Sequence, residues 1–403
     1  VAGLLSDARG TYSTEAVRDD KSLQSLLGLD DAPGEVTFWR ALEGLGEAGF
    51  RQTLAEVQRR WTRTILSRAT RPELLRDGFF PVFGDGTLLE GSDRREGTKT
   101  LKDKGTGLMW STWFCGPLIA AQRLAGDGEG EQSTLRAMLG EVVEEVLEPL
   151  QLKEKALVLM DSLHGDGPTL DDLEEKQLHY IVGANKLKTA GETLNDRTEL
   201  EWHSTGANER WGWADSAVCS CWIQCEEWDT KRVLVGRRWR KEGELIWEYA
   251  GVMTNLREED VAHLMTKGRL FAEVIWRLYD TKAGLEDQYK DPLQDLNLHH
   301  PPCQELVRNQ GFYTVATLAF TLARAVDLIG GRGLGRGSMT RCDGARRRRP
   351  TPRRMRLWRL RRQLFALPGR VACHSRTAAV TLLGLSTTIQ RLFEHFWHNI
   401  CRC

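Results

Sequence analysis

The stretch ALVLMDSLHGDG at residues 156–167 decides the fold, because it is an apolar run that stops at Asp161 in a glycine-containing turn. A run of this kind is typical of a strand that is buried inside a sheet. Just before it, residues 131–150 carry Leu135, Leu139 and Val146 on one side of a helix and acids on the other. Such a helix between two strands predicts a parallel crossover unit, so the sequence favours an α/β fold.

The earlier strand of this unit lies in FFPVFGDGTLLEG at residues 79–91, and MWSTWFCGPLIAAQRLAG at 109–126 adds further strand and turn. Beyond the deciding stretch, residues 190–255 hold seven of the 14 Trp and alternating runs such as RVLVGRRW. These runs indicate β structure. The pattern then returns to helix, with one long helix predicted over 258–282, a second from about Leu285, and a helical apolar segment at 312–329.

The composition excludes several classes of protein. With 403 residues, 41% hydrophobic residues and 14 Trp, the chain can bury sizeable cores and is not disordered throughout. The longest apolar segment carries Arg324 and Asp327, so no membrane span is expected. The nine Cys have no regular spacing, which favours reduced thiols over a disulfide framework. Because thiols stay reduced in the cytosol, we expect a cytoplasmic protein.

The charge is unevenly distributed, although the formal net charge of the chain is zero. From residue 331 to the end there are 17 Arg, no Lys and only two acids, Asp343 and Glu394. A basic segment of this kind usually meets a polyanion such as DNA, because Arg side chains that neutralise phosphates release counterions. The alternative is a disordered tail whose arginines reflect coding bias alone.

Three acids are candidates for metal chemistry. Asp85 and Asp161 end apolar strands, and Glu286 lies in a predicted helix. Carboxylates at the ends of neighbouring strands can converge on one point and bind Mg²⁺, the ion that in-line phosphodiester hydrolysis needs. The alternative for each single acid is a turn or helix-capping role. His164 follows Asp161 closely; one interpretation is that it approaches the metal site, but the default expectation is a solvent-facing loop position.

Three segments carry a family resemblance: VFGDGTLLEGS at 82–92, the stretch from Ala156 to Lys186, and the stretch from Thr254 to Cys303. In order and context they resemble bacterial insertion-sequence DDE transposases that have a Tyr-Arg-Glu-Lys signature, over roughly residues 20–330. The resemblance implies an RNase H-like mixed sheet flanked by helices, with Asp85, Asp161 and Glu286 binding two Mg²⁺ or Mn²⁺ ions. It also implies that the chain cuts the terminal inverted repeats of an element and joins them to target DNA. The expected location is the cytoplasm, in association with the nucleoid.

The signature itself is only partly present. Tyr279 and Glu286 stand where expected, but Lys282 occupies the Arg position and Leu293 the Lys position. Lys282 keeps the charge without the bidentate geometry of Arg, and Lys290, one helical turn after Glu286, is the candidate substitute for the missing Lys. Tyr279, Lys282 and Lys290 are predicted to hold DNA phosphates beside the scissile bond. Two alternatives therefore stay open: a DNA-binding protein that has lost transposase activity, and a metal-dependent RNase H-fold nuclease unrelated to transposition.

The patterns and the resemblance together divide the chain into five parts. They are a helical N-terminal DNA-binding domain at 1–75, the first part of the catalytic core at 76–189, a β-rich insertion at 190–255, the second part of the core at 256–330 and the Arg-rich tail at 331–403. The N-terminal segment APGEVTFWRALEGL at 32–45 fits a helix-turn-helix and a plain helical bundle equally well. Whether the active form is a homodimer on DNA stays open.

The Trp-rich insertion supplies candidate DNA contacts. Trp213 and Trp239 are predicted to stack on an unpaired base, as an aromatic residue near the cleavage site does in the resembled family. The alternative is that these indoles only pack within a small sheet.

Overall fold

The structure of the 403-residue chain is a computed structural model. It describes residues 18–21, 24, 30–101, 105–126, 130–184, 187–225, 228, 230–331, 356–365, 369–374, 377–382 and 387–401. Within the described helices, the side chains of residues 285–287, and with them that of Glu286, fall outside the description.

The first half of the described chain contains, in order, α1 (Glu35–Gly46), α2 (Ala48–Arg68), α3 (Arg71–Leu74), β1 (Phe80–Glu90), β2 (Lys99–Leu101), β3 (Gly105–Cys115), β4 (Leu118–Ala125), α4 (Glu131–Val142), β5 (Ala156–Met160), α5 (Gly167–Glu175) and β6 (His179–Gly183). The second half contains α6 (Lys188–Asn195), β7 (His203–Ser204), β8 (Trp213–Ile223), β9 (Arg232–Lys241), β10 (Glu248–Thr254), α7 (Glu258–Val261), α8 (Phe271–Tyr279), α9 (Lys282–Lys290), α10 (Leu306–Ala325), α11 (Leu357–Leu360), β11 (Gly369–His374), β12 (Thr377–Leu382) and α12 (Thr387–Cys401).

A mixed sheet forms the centre of the fold. In its first half the strand order is β4, β3, β1, β5, β6, with β3 antiparallel to both β4 and β1. β1, β5 and β6 run parallel, and helices α4 and α5 make the crossovers between β4, β5 and β6. This arrangement confirms the predicted α/β class and is consistent with an RNase H-like sheet flanked by helices.

The alternation of side chains explains why the sheet is covered on both faces. All five residues of β5 are buried. Leu157 and Leu159 join the apolar cluster that contains α8, α9 and α10, while Val158 and Met160 join the opposite cluster with α4 and α5. Because successive side chains point to opposite faces, one short strand anchors both layers.

The strands of the predicted insertion continue the same sheet. β7, β8, β9 and β10 pair with one another as antiparallel neighbours. β10 then pairs with β6, with Met253 opposite Val182, so the order runs from β6 through β10, β9 and β8 to β7. The insertion is thus joined to the core by backbone hydrogen bonds.

The prediction of one long helix over 258–282 is wrong. α7 ends at Val261, short 3₁₀ turns follow, and α8 begins only at Phe271. Gly268 has a φ of +73°, a left-handed conformation that glycine tolerates and that ends a regular helix. The break lets α8 turn back against strands β8 and β9.

Helix α10 lies in the core on one side of the sheet. Together with its continuation to Gly330 it is long and apolar enough to cross a membrane, but 67% of its apolar window is buried inside the fold, as in the core helix of a globular protein. α1 packs against it closely, since a Cβ on Gly46 would lie 1.7 Å from the Val307 carbonyl oxygen. The N-terminal helices thus rest on the core layer.

The tail is described only in part. Residues 332–355, which hold most of the predicted Arg run, lie outside the described residues. Residues 357–365 are helical and bury Leu357 and Leu360 completely, while β11 and β12 form a separate two-stranded sheet. DNA binding by the tail therefore stays a prediction.

Candidate active site

Asp85 and Asp161 lie side by side because their strands are parallel neighbours. The register pairs Phe83 of β1 with Leu159 of β5. Two residues further along each strand come Asp85 and Asp161, which point to the same face of the sheet. The two carboxylates therefore meet where the parallel strands emerge from the core.

A short turn fixes Asp161 and brings in His164. The Asp161 Oδ1 accepts a hydrogen bond from the Leu163 amide at 2.8 Å, which caps the 3₁₀ turn Ser162–His164. This turn carries the His164 ring back over the strand end, so that its Nε2 lies 3.6 Å from the Asp161 Oδ1. His164 is fully buried. The expectation that it faces solvent is wrong, because the turn folds inward.

Glu131 enters the same space from the first residue of α4. Its Oε1 lies 3.1 Å from the Nε2 of His164. The approach depends on Gly86, since a Cβ at that position would come within 2.4 Å of the Glu131 carboxyl carbon. The glycine after Asp85 thus makes room for a further carboxylate.

Asp85, Glu131 and His164 can together hold a metal ion. One ligand atom from each lies within 4.8 Å of the other two. Asp161 adds an oxygen at the rim, where 41% of its side chain is exposed. Carboxylate oxygens with one imidazole are a donor set that suits Mn²⁺, and the oxygens alone suit Mg²⁺. The residues therefore fit a hard divalent cation.

The electrostatics of the site also favour a cation. Burial, helped by the neighbouring Asp161 and Glu131 carboxylates, raises the pKa of Asp85 to about 7, although Lys282 opposes the shift. Lys282 is itself buried, with its Nζ 5.4 Å from the centre of the Phe83 ring. A divalent ion would offset the repulsion that one ammonium group only partly relieves.

Helix α9 packs across the Asp85 side of the site. Tyr289 donates a hydrogen bond to the Asp85 carbonyl oxygen at 2.7 Å, and its hydroxyl also contacts the Thr112 hydroxyl. Burial raises the pKa of the Tyr289 phenol well above its ordinary value, so the group remains a donor. Glu286 lies on this helix between Lys282 and Tyr289, which both approach Asp85. The helix position of Glu286 is thus described, whereas its side chain is not.

The other predicted contact residues lie at different distances from the carboxylates. Tyr279 donates to the Met160 carbonyl oxygen at 3.2 Å, directly beside Asp161. Lys290 is exposed at the far end of α9. Trp213 and Trp239 stack on each other in the extended sheet, with ring centroids 5.1 Å apart and an interplanar angle of 21°.

One ion pair links the two stacked indoles to the core. The Arg237 guanidinium lies 4.9 Å from the Trp213 ring centre and forms an ion pair of 3.1 Å with Asp280. Asp280 directly follows Tyr279. The aromatic stack therefore adjoins the side of the site that Tyr279 occupies.

Sequence reasoning missed Glu131, and for His164 it preferred a solvent-facing loop position to one at the metal site. The position of His164 three residues after Asp161 was a weak signal for it. Nothing in the local sequence distinguishes Glu131 from the other acids, because its role depends on contact with Gly86 across the fold.

Comparison with known proteins gives little further information. No family model matches the chain, and none of the curated proteins matches it. Among solved structures, the chain is similar to piggyBac transposase in a cryo-EM synaptic complex with hairpin DNA, at 9% identity and a TM-score of 0.28. The match covers 60% of this chain and 53% of that chain. It spans about half of the transposase and is too distant to assign a role to any residue.

Proposed function

We propose that this protein is a metal-dependent DNA transposase that cuts and joins the ends of an insertion-sequence element. The observation that carries the proposal is the convergence of Asp85, Asp161, Glu131 and His164 at the ends of two parallel strands. The family resemblance of the sequence segments around Asp85, Asp161 and Glu286 supports it.

The acids of the site would share the binding of divalent ions. Asp85 is central, because the charges of both Glu131 and Asp161 act on its carboxyl group. Divalent ions, once bound, activate the attacking oxygen and stabilise the leaving oxygen of a phosphodiester. We propose two Mg²⁺ or Mn²⁺ ions, with Glu286 of α9 as a further ligand and His164 holding Glu131 in place.

The residues around the acids would hold the DNA. Lys282 supplies positive charge beside Asp85, and Tyr279 lies on the opposite side of the Asp161 strand end. Lys290 is exposed at the end of α9, and its proposed role is to contact a backbone phosphate of the DNA. Duplex DNA, comprising the terminal inverted repeats and the target, is the proposed partner, and the nucleoid region of the cytoplasm is the proposed location.

The proposal is tested by incubating the full chain with linear duplex DNA taken from both flanks of its own coding sequence. We expect cleavage that needs Mn²⁺ or Mg²⁺, is stopped by EDTA and leaves 3′-hydroxyl ends that join to a plasmid. The Asp161→Asn variant should lose both steps, since the amide cannot replace the anionic ligand. The matched control is Asp196→Asn, an exposed acid at the end of α6.

Three results would count against the proposal. Equal cleavage by Asp161→Asn and the parent would show that Asp161 is not a metal ligand needed for cleavage. Cleavage without joining would favour a nuclease. DNA binding without metal-dependent cleavage would favour a transposase-derived DNA-binding protein.

The outer indole of the aromatic stack provides a second test. Trp211 stacks on Trp213 with ring centroids 6.0 Å apart and is 43% exposed, so part of its indole is accessible from solvent, where an unpaired base could contact it. We expect Trp211→Ala to weaken binding of DNA with unpaired bases near the cleavage point by roughly 1–3 kcal/mol, the usual worth of one base stacked on an aromatic ring. The fluorescence anisotropy of labelled DNA measures this loss.

Trp222 provides the matched control, because it is 65% exposed but takes no part in the stack. Its replacement by Ala should leave the affinity unchanged. If both variants lose affinity equally, the stack has no specific role in binding DNA.

A further inference from the structure

The start of the described tail docks beside the proposed metal site. Helix α9 continues without a break into a π-helical turn, Asp291–Asp295. Residues 356–361 lie against this turn, and their Leu357 and Leu360 side chains are fully buried in the core cluster that also contains Tyr289 and Leu293. This part of the Arg-rich tail is therefore packed onto the body.

Ion pairs define the contact. The Arg356 Nε lies 3.2 Å from the Asp291 Oδ1, and its Nη2 lies 3.4 Å from the Asp295 Oδ1. The Trp358 amide donates to the other Asp295 oxygen at 3.0 Å, and Arg361 donates to the Asp295 carbonyl oxygen. The carboxylate of Asp291 is almost completely buried, whereas 44% of the Arg356 side chain is exposed, so solvent screens the pair from one side only.

The helix that leads into this turn also contacts Asp85. Tyr289, two residues before Asp291, donates to the Asp85 carbonyl oxygen, and Lys282 at the start of α9 acts on the Asp85 carboxyl. Because a helix rises only about 1.5 Å per residue, Asp291 lies about one turn from Glu286. A shift of the turn that Arg356 holds would therefore also move Tyr289 and Lys282, which contact or act on Asp85.

We propose that Arg356 is a positioning residue, which clasps the Asp291–Asp295 turn and so holds the helix that carries Glu286 against Asp85. The inference rests on the proposed function for its catalytic consequence, while the clasp itself can be measured without DNA. Arg356 acts through Asp291 and Asp295 and does not touch the proposed metal site.

The test compares Arg356→Gln, Arg356→Lys and the parent as full chains. Amide hydrogen exchange in residues 282–295 is measured without DNA, and the exchange of strand β5 reports whether the core remains folded. We expect Arg356→Gln to exchange at least about tenfold faster in 282–295 with β5 unchanged, and Arg356→Lys to restore most of the protection because it keeps the charge. Arg359→Gln is the matched control, since Arg359 is exposed and its guanidinium donates within the tail to Gln363.

Cleavage supplies the second readout. At saturating DNA, Arg356→Gln should cleave at least about tenfold more slowly, while its dissociation constant for the same DNA stays within about twofold of the parent. Unchanged exchange in 282–295, or an equal change in Arg359→Gln, would overturn the clasp. A loss of DNA affinity that matches the loss of rate would make Arg356 a phosphate contact instead. If the parent does not cleave DNA, the proposed function fails. The exchange measurement still shows whether Arg356 holds the Asp291–Asp295 turn in place.

Discussion

Replacing Asp85 by Asn is expected to abolish metal-dependent DNA cleavage, lowering the rate by roughly a thousandfold or more, because the central anionic ligand is lost. The same variant should be more stable than the parent at neutral and alkaline pH when metal is absent. Burial and the neighbouring carboxylates raise the pKa of Asp85 to about 7, so the folded chain resists ionisation there, and an amide removes that penalty.

The sign of the pH dependence follows from the raised pKa. Between about pH 4 and pH 7 the folded state keeps a proton on Asp85 that the unfolded chain releases, so stability falls as the pH rises, by at most about 1.4 kcal/mol per pH unit. Above about pH 7 this contribution is constant. Thermal melting with EDTA at pH 5 and pH 8 measures the difference, and Asp85→Asn should flatten it.

Added Mn²⁺ provides the complementary measurement. It should raise the melting temperature of the parent at pH 8 more than at pH 5, because metal and proton compete for the same carboxylate. Asp85→Asn should lose this response, and Asp196→Asn should keep it. An equal Mn²⁺ response in Asp85→Asn and the parent would exclude Asp85 as a ligand.

Replacing Arg324 by Met is expected to produce the largest loss of stability, about 3–5 kcal/mol, because it breaks a buried ion-pair cluster. Arg324 lies 3.1 Å from Asp291 and 3.3 Å from Asp327, and all three side chains are almost completely buried. Without the guanidinium, two carboxylates remain in the core with too little positive charge. Urea denaturation should show a lower midpoint, with loss of the α10 end.

Two further variants separate this effect from a general loss of charge. Arg308→Met removes a guanidinium whose ion pairs with Glu43 and Glu305 lie near the surface, and it should change stability little. Combining Arg324→Met with Asp291→Asn and Asp327→Asn should recover part of the loss, since no buried charge is then left unpaired. If Arg324→Met and Arg308→Met have equal effects, the cluster does not stabilise the core.

Much of the fold could be predicted because its signals are local. The apolar runs before Asp85 and Asp161 specify buried strands, and the helix between them specifies a crossover. Parallel pairing then puts both acids at one end of the sheet, and the register agrees with that placement. The break between Val261 and Phe271 was the exception, because the apolar periodicity across 258–282 does not show where the helix stops and restarts.

The rest of the site depends on contacts between distant segments. Glu131 reaches Asp85 only because Gly86 lacks a side chain, and no spacing rule connects residues that far apart in the chain. Arg356 is similar: in the sequence it belongs to a basic run that indicates DNA binding, whereas in the fold its guanidinium faces Asp291 and Asp295. Charge composition does not reveal which arginines are already paired within the protein.

The continuous sheet has a consequence for how related chains could vary. Strand β6 receives the β10 ladder along Ile181–Gly183. A shorter relative without strands β7 to β10 would leave those backbone groups open to solvent, and unpaired strand backbones are templates for aggregation. Loss of the insertion would therefore have to be accompanied by a substitute cover, such as a helix or a charged, bulged strand. Solubility, as well as any contact with DNA, constrains this part of the molecule in evolution.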